Sequence, residues 1–153
     1  MNKLAVMVDN LGLSQLNLFL IYSLNQLTQK GVDCCIFHNQ WKRQVMPTMF
    51  STFQDNEVWD FDGTVIATNF GSVQKLIASP GPKKKYFYVW KFEWMVLNKF
   101  WYAQIQEIFN NDEIDLIARS QSHFTVLERL FKKPTAIIED WNNEKLQKLL
   151  VKQ

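Results

Sequence analysis

Only a few side chains in this sequence suit acid, base or nucleophile chemistry, and they fall into small groups. Glu93 is a lone carboxylate inside the aromatic run Trp90-Lys91-Phe92-Glu93-Trp94. Ser120 and Ser122 stand beside His123, a nucleophile-and-base pattern, and by position alone Glu93 and His123 are the catalytic candidates. A serine at a strand-to-helix junction also caps the helix, and capping is the stronger reading for Ser120. Asp60-Phe61-Asp62-Gly63-Thr64 sets two carboxylates two residues apart ahead of an apolar run. The only histidines are His38 and His123, and the two cysteines, Cys34 and Cys35, are adjacent with no C-x-x-C, so no metal site is expected. Neither G-x-G-x-x-G nor G-x-x-x-x-G-K-[ST] occurs, so neither a dinucleotide cofactor nor a P-loop is expected.

The elements that must position these groups follow from periodicity. Leu4–Val8 is an apolar run of the kind buried on both faces of a parallel sheet. Ser14 is a good N-cap, and Leu13, Leu16, Leu20, Leu24 and Leu27 recur as one helical stripe that Lys30-Gly31 closes. Val32–Phe37 is the second strand. Around Pro47, Met46, Met49, Phe50 and Phe53 suggest a short helix, with Glu57–Trp59 extended. Thr64–Ala67 is a strand, and Asn69 caps a helix carrying Val73, Leu76 and Ile77. Tyr86–Val89 is a strand, followed by a long helix through Val96, Leu97, Phe100, Trp101, Ile105, Ile108 and Phe109. Ile114–Ala118, a helix capped by Ser120 and running through Phe131, Thr135–Ile138, and a last helix capped by Asn142 or Asn143 complete the chain. Alternation of this kind predicts one domain over 1–153: an α/β, Rossmann-like, doubly wound parallel sheet, with Leu4–Val8 central.

Ligands of such sheets sit beyond the carboxyl ends of the strands. That rule selects Asp9, Asn10 and Gly12, His38, Thr68 and Asn69, and Trp90 to Trp94. It also selects Arg119, Ser120, Ser122 and His123, and Glu139, Asp140 and Trp141. The charge balance of 17 basic and 15 acidic residues does not argue for nucleic acid as a partner. The run Lys83-Lys84-Lys85 follows Pro80-Gly81-Pro82 and reads as a solvated turn. Neighbouring cysteines of a strand face opposite ways and suit reduced thiols, so a cytoplasmic location is expected. Polar residues interrupt the apolar stretch from Leu11 to Leu27, so no membrane span is expected.

Two resemblances bear on function. Asp60-Phe61-Asp62-Gly63-Thr64 looks like the nucleophile motif of haloacid-dehalogenase-type phosphatases, with Ser120, Lys133 and the Glu139-Asp140 pair as its later motifs. Lys133 and Asp140 are too close for the strand and helix that family sets between them. A complete βαβ unit also precedes Asp60, so Asp62-Gly63 reads as a turn into the next strand. The broader resemblance is to the N-terminal, acceptor-side domain of GT-B type glycosyltransferases. VMVDNLGLSQLNLFLIYSLNQL, TVIATNFGSVQKLI, KKKYFYVWKFEW and DLIARSQSHFTVLERLF are similar to successive strand-loop-helix segments of that domain. The resemblance implies a ligand site formed by Asp9, Asn10, Gly12, Asn69, Trp90, Glu93, Trp94, Ser120 and Ser122. It also implies a sugar or sugar-nucleotide ligand, and a partner protein or second copy supplying the other half of the site. A non-enzymatic interaction module with an aromatic docking surface is the alternative expectation.

Overall fold

The computed structural model describes residues 2–95 and 102–151. Among them, seven strands form one parallel sheet: β1 (Lys3–Val8), β2 (Asp33–His38), β3 (Ser51–Gln54), β4 (Thr64–Ala67), β5 (Lys84–Val89), β6 (Asp115–Ala118) and β7 (Ala136–Ile137). Their spatial order is β3-β2-β1-β4-β5-β6-β7, with every neighbouring pair parallel. The α-helices among the described residues are α1 (Gln15–Gln29), α2 (Phe70–Ala78), α3 (Tyr102–Phe109), α4 (Gln121–Leu130) and α5 (Asn143–Val151). The fold is thus the doubly wound α/β sheet that the alternation predicts, with β1 interior.

Strand alternation divides the core in two. Leu4, Val6 and Val8 of β1 face α1 and α5, together with Ile36, Tyr88, Trp90 and Trp141. Ala5 and Met7 face the other way, toward α2, α3 and α4, with Phe37, Val65, Phe87 and Phe109. Chain direction across the sheet reverses between β1 and β4. Right-handed crossovers then require α1 on one face and α2 to α4 on the other, which is the arrangement found. Cys34 and Cys35 fall one in each core layer, both free, and burial pushes their thiols up to about 11 and about 12. Both therefore stay protonated, and neither is a nucleophile.

The caps behave as expected. Ser14 Oγ accepts from the Asn17 N–H at 3.1 Å, and Asn69 Oδ1 from Ser72 at 2.9 Å. Ser120 Oγ accepts from the His123 N–H at 3.2 Å, and Asn142 Oδ1 from Lys145 at 3.1 Å. Gly31 ends α1 at φ +85, a conformation open to glycine at little cost. Leu13 is a correction: it precedes the cap, outside the helical stripe, and is 84% exposed. The segment from 39 to 60 is a second correction. No helix forms around Pro47; instead Ser51–Gln54 adds an edge strand, and Phe53 packs its ring 5.9 Å from Phe37 of β2. Glu57–Trp59 is not extended but lies in a 3-10 helix, Asp55–Asp60, closed by a capping box between Gln54 and Glu57. Of the long helix expected after Val96, residues 96–101 lie outside the described residues.

Candidate functional site

A cleft opens on the carboxyl edge of the sheet where strand order reverses, between β1 and β4. It has a volume of about 330 Å³ and is lined by Asp9, Asn10, Asn17, Lys42, Thr68, Asn69, Trp90 and Lys91 among others. That volume is in the range of small-molecule sites. Each wall has a local cause. The loop after β1 is folded back by Asn17, whose Nδ2 donates to Asn10 O and Gly12 O, both at 2.8 Å, while the Gly12 N–H donates to Asn10 Oδ1 at 2.9 Å. The same loop holds the segment after β2: Gln40 N–H donates to Asp9 O at 2.8 Å and Val45 N–H to Leu11 O at 2.9 Å. Lys42 is thereby laid against Gly12, where an added Cβ would meet its side chain at 3.2 Å. On the opposite wall, Thr68 Oγ1 donates to Met7 O at 2.7 Å, fixing the step from β4 into Asn69.

Trp90 forms the far wall, but not as a bare ring. The Arg119 guanidinium lies 3.6 Å from the ring centroid, a cation–π stack worth about 0.5–2 kcal/mol. Arg119 is in turn held by Gln15 at 3.5 Å and Asp140 at 3.7 Å. Two cations, Lys42 and Lys91, line the cleft with one acidic residue, Asp9, and the Arg119–Asp140 pair adjoins it through Trp90, at a site that the amino ends of α1 and α2 also reach. Helix amino termini carry partial positive charge, so the cleft favours an anionic or hydroxyl-rich ligand.

Of the residues expected to form the site, Asp9, Asn10, Asn69 and Trp90 line the cleft together. Gly12 lies behind them as a buried turn residue. Glu93 stands one layer back, against the amino end of α2, with the Phe70 N–H donating to its carboxylate at 3.5 Å. Burial holds Glu93 above the usual carboxylate range, opposed by the Phe70 hydrogen bond. Trp94 turns inward instead, edge-on to Phe109 and Phe131 at 5.3 Å each. Ser120 and Ser122 hydrogen-bond each other at 2.9 Å. Among the described residues, neither hydroxyl bonds the His123 imidazole, which stacks on Phe92 at 4.2 Å. No family model, curated protein or solved structure matches this chain at a significant level.

The remaining motif lies elsewhere. Asp62 precedes β4, at the amino edge of the sheet, and pairs with Lys3 at 2.7 Å and Lys83 at 3.9 Å. Ser120 and Asp140 follow the carboxyl ends of β6 and β7, so the parallel sheet separates them from the Asp60-Asp62 pair by the length of its strands. Gly63 belongs to that turn for steric reasons: a Cβ there would meet Lys3 O at 2.7 Å. No group of three or more His, Cys, Asp or Glu among the described residues is placed to hold a metal ion, and no helix there is long and apolar enough to cross a membrane.

Glu93 and His123 give the fold an opposed pH dependence. Burial raises the Glu93 pKa above 4.5, so the unfolded chain loses that proton first as pH rises, and stability falls from 4.5 upward through the folded value. Burial lowers the His123 pKa below 6.5, so the unfolded chain takes up a proton first as pH falls, and stability drops from 6.5 downward. Glu93→Gln mimics the protonated acid and should match the parent below pH 4.5 but exceed it in stability at neutral pH. Urea denaturation across pH checks this; a variant less stable at neutral pH would mean that the charged carboxylate supports the fold.

Proposed function

We propose that this domain binds a sugar- or nucleotide-type ligand in the cleft between β1 and β4, acting as the acceptor-side half of a glycosyltransferase-like assembly. The observation that carries the reading is the cleft itself. It lies at the point of strand-order reversal, where open α/β sheets take ligands. Its lining is the kind that holds hydroxyls and phosphates: the side-chain amides of Asn10 and Asn69, the Thr68 hydroxyl, and the ammonium groups of Lys42 and Lys91. Trp90 with its stacked Arg119 supplies a flat wall. Glu93 and His123 both stand outside the lining, so catalysis on this reading belongs to groups brought by a partner protein or a second copy.

The alternative of an aromatic docking surface loses support from the same residues. Trp90 is buried under Arg119 and Trp94 is packed against Phe109 and Phe131, so the two form no flat exposed patch. The test is thermal denaturation of the purified chain with sugar nucleotides, nucleotides and simple glycans, alongside a nucleotide-release assay. A ligand at 100 times its dissociation constant should add about 2.7 kcal/mol of stability. Arg119→Ala should abolish that gain, and no turnover should occur without a partner. A panel with no stabilising member would overturn the binding reading, and robust turnover by the chain alone would overturn the half-site reading.

A further inference from the structure

A second, smaller hollow opens on the other side of the loop after β1. It has a volume of about 70 Å³ and is lined by His38, Gln40, Trp41, Lys42, Gln44 and Thr52, with Leu11 beneath. Three observations set it apart from an ordinary surface dent. His38, at the end of β2, is only 8% exposed, and its Nδ1 has no hydrogen-bond partner among the described residues. A buried imidazole nitrogen left without a partner is costly, and the ring that carries it belongs to the lining of the hollow. The polar lining groups can all donate hydrogen bonds, and no carboxylate is among them. Lys42 lines both this hollow and the larger cleft, and it makes no salt bridge or hydrogen bond among the described residues.

We infer that the His38 hollow is an oxyanion subsite, taking the phosphate of a phosphorylated ligand whose body reaches past Lys42 into the larger cleft. Its size fits a compact, tetrahedral, hydrogen-bond-accepting group and excludes a ring system. A phosphate offers acceptors to the imidazole N–H, the Gln40 and Gln44 amides and the Thr52 hydroxyl at once. Lys42 lines both compartments, and its positive charge compensates that of the phosphate. Trp41, 83% exposed at the rim, leaves a ring face open beside the entrance. The subsite gives the proposed cleft ligand a specific chemistry, a phosphate on a sugar or nucleoside body, and rests on that reading only for where the body lies.

The sequence contains two histidines, so imidazole NMR signals report on the hollow directly, and His38→Gln assigns them. The chain is titrated with inorganic phosphate, with potassium chloride at matched ionic strength, and with uridine, uridine 5′-diphosphate and glucose 1-phosphate. Phosphate is expected to shift the His38 signals at millimolar concentration and leave those of His123 in place, with no response to chloride. Lys42→Ala should weaken phosphate binding about tenfold, equivalent to about 1.4 kcal/mol. Gln44→Ala, at an exposed position that leaves the fold intact, should weaken it several-fold. The two phosphorylated compounds distinguish a nucleotide from a sugar phosphate by which binds more tightly. Phosphate that moves neither histidine, or both equally, would overturn the subsite, as would unchanged titration in Lys42→Ala. Uridine binding without any phosphate response at His38 would sink the subsite and leave the cleft reading standing; the reverse pattern would do the opposite.

Discussion

Replacing Trp141 by alanine is expected to destabilise the domain by about 3–5 kcal/mol, the range for removing a large aromatic from a core. The indole is fully buried, with 0% exposure, and its ring centroid lies 4.4 Å from that of Tyr88. Its backbone is equally constrained: Ser23 Oγ of α1 donates to Trp141 O, and Tyr88 OH donates to the nearby Ile138 O. Trp141 therefore joins α1, β5 and the entry to α5. The same residue sits at φ +58, directly after Asp140 at φ +45, in a region that bulky residues seldom occupy. This leads to an unusual ordering of variants. Glycine removes the same side chain but relaxes the left-handed backbone, so Trp141→Gly should be milder than Trp141→Ala by about 1 kcal/mol. Trp141→Phe keeps a ring against Tyr88 and removes an indole N–H that has no partner among the described residues, so it should be the mildest of the three. Urea denaturation measures all three. Alanine tolerated better than glycine would mean that the positive φ carries no strain.

Much of the fold is legible in the sequence because its central strands are buried on both faces and its helices begin at side-chain caps. Thr64–Ala67 appears with the expected bounds, and Ser14, Asn69 and Ser120 each cap the helix that follows them. The segment from 39 to 60 resists such reading for a physical reason. Its strand lies at the sheet edge, with Ser51, Phe53 and Gln54 exposed, so no two-faced apolar run marks it. Its approach is set by distant groups: Asn25 of α1 donates to Pro47 O at 3.0 Å and accepts from the Met49 N–H at 2.7 Å. Local sequence carries no trace of bonds made across more than twenty residues.

The site divides in the same way. Asp9, Asn10, Asn69 and Trp90 follow from the rule of strand carboxyl ends, because each stands within two residues of a strand. Lys42 belongs to the segment without periodicity, and its place in the lining depends on backbone bonds from Gln40 and Val45 to the loop after β1. The aromatic-acidic run from Trp90 to Trp94 misleads in one respect. Its residues do not share an environment: Trp90 meets the cleft, Glu93 the α2 terminus and Trp94 the opposite core layer. Asn17 carried one signal, a polar side chain one turn into an otherwise leucine-faced helix, at a position that proves to be buried.

Asn17→Ala should cost about 2–4 kcal/mol and remove ligand binding in the cleft altogether. The side chain is 3% exposed, and its amide supplies donors to the Asn10 and Gly12 carbonyls. Taking it away strands the buried Gly12 carbonyl and the half-buried Asn10 carbonyl, at about 1–3 kcal/mol for each that stays unpaired. Asn17→Asp should be worse than alanine, since it keeps the shape but sets a negative charge against both carbonyls. The damage should also be local in a way that a core deletion is not. The loop after β1 positions Gln40 and Val45 through Asp9 O and Leu11 O, so those two amides should exchange with solvent far faster in Asn17→Ala. Amides of β4 and β5, by contrast, should keep their protection relative to the variant's own global stability. Because Lys42 lies between Gln40 and Val45 on the segment after β2, the wall it forms is lost when that segment comes loose. Hydrogen exchange on the variant, together with the ligand melting assay, checks both halves. Normal protection at Gln40 and Val45, or full ligand binding by the variant, would show that the loop holds its shape without Asn17 and that the cleft is organised from its other wall.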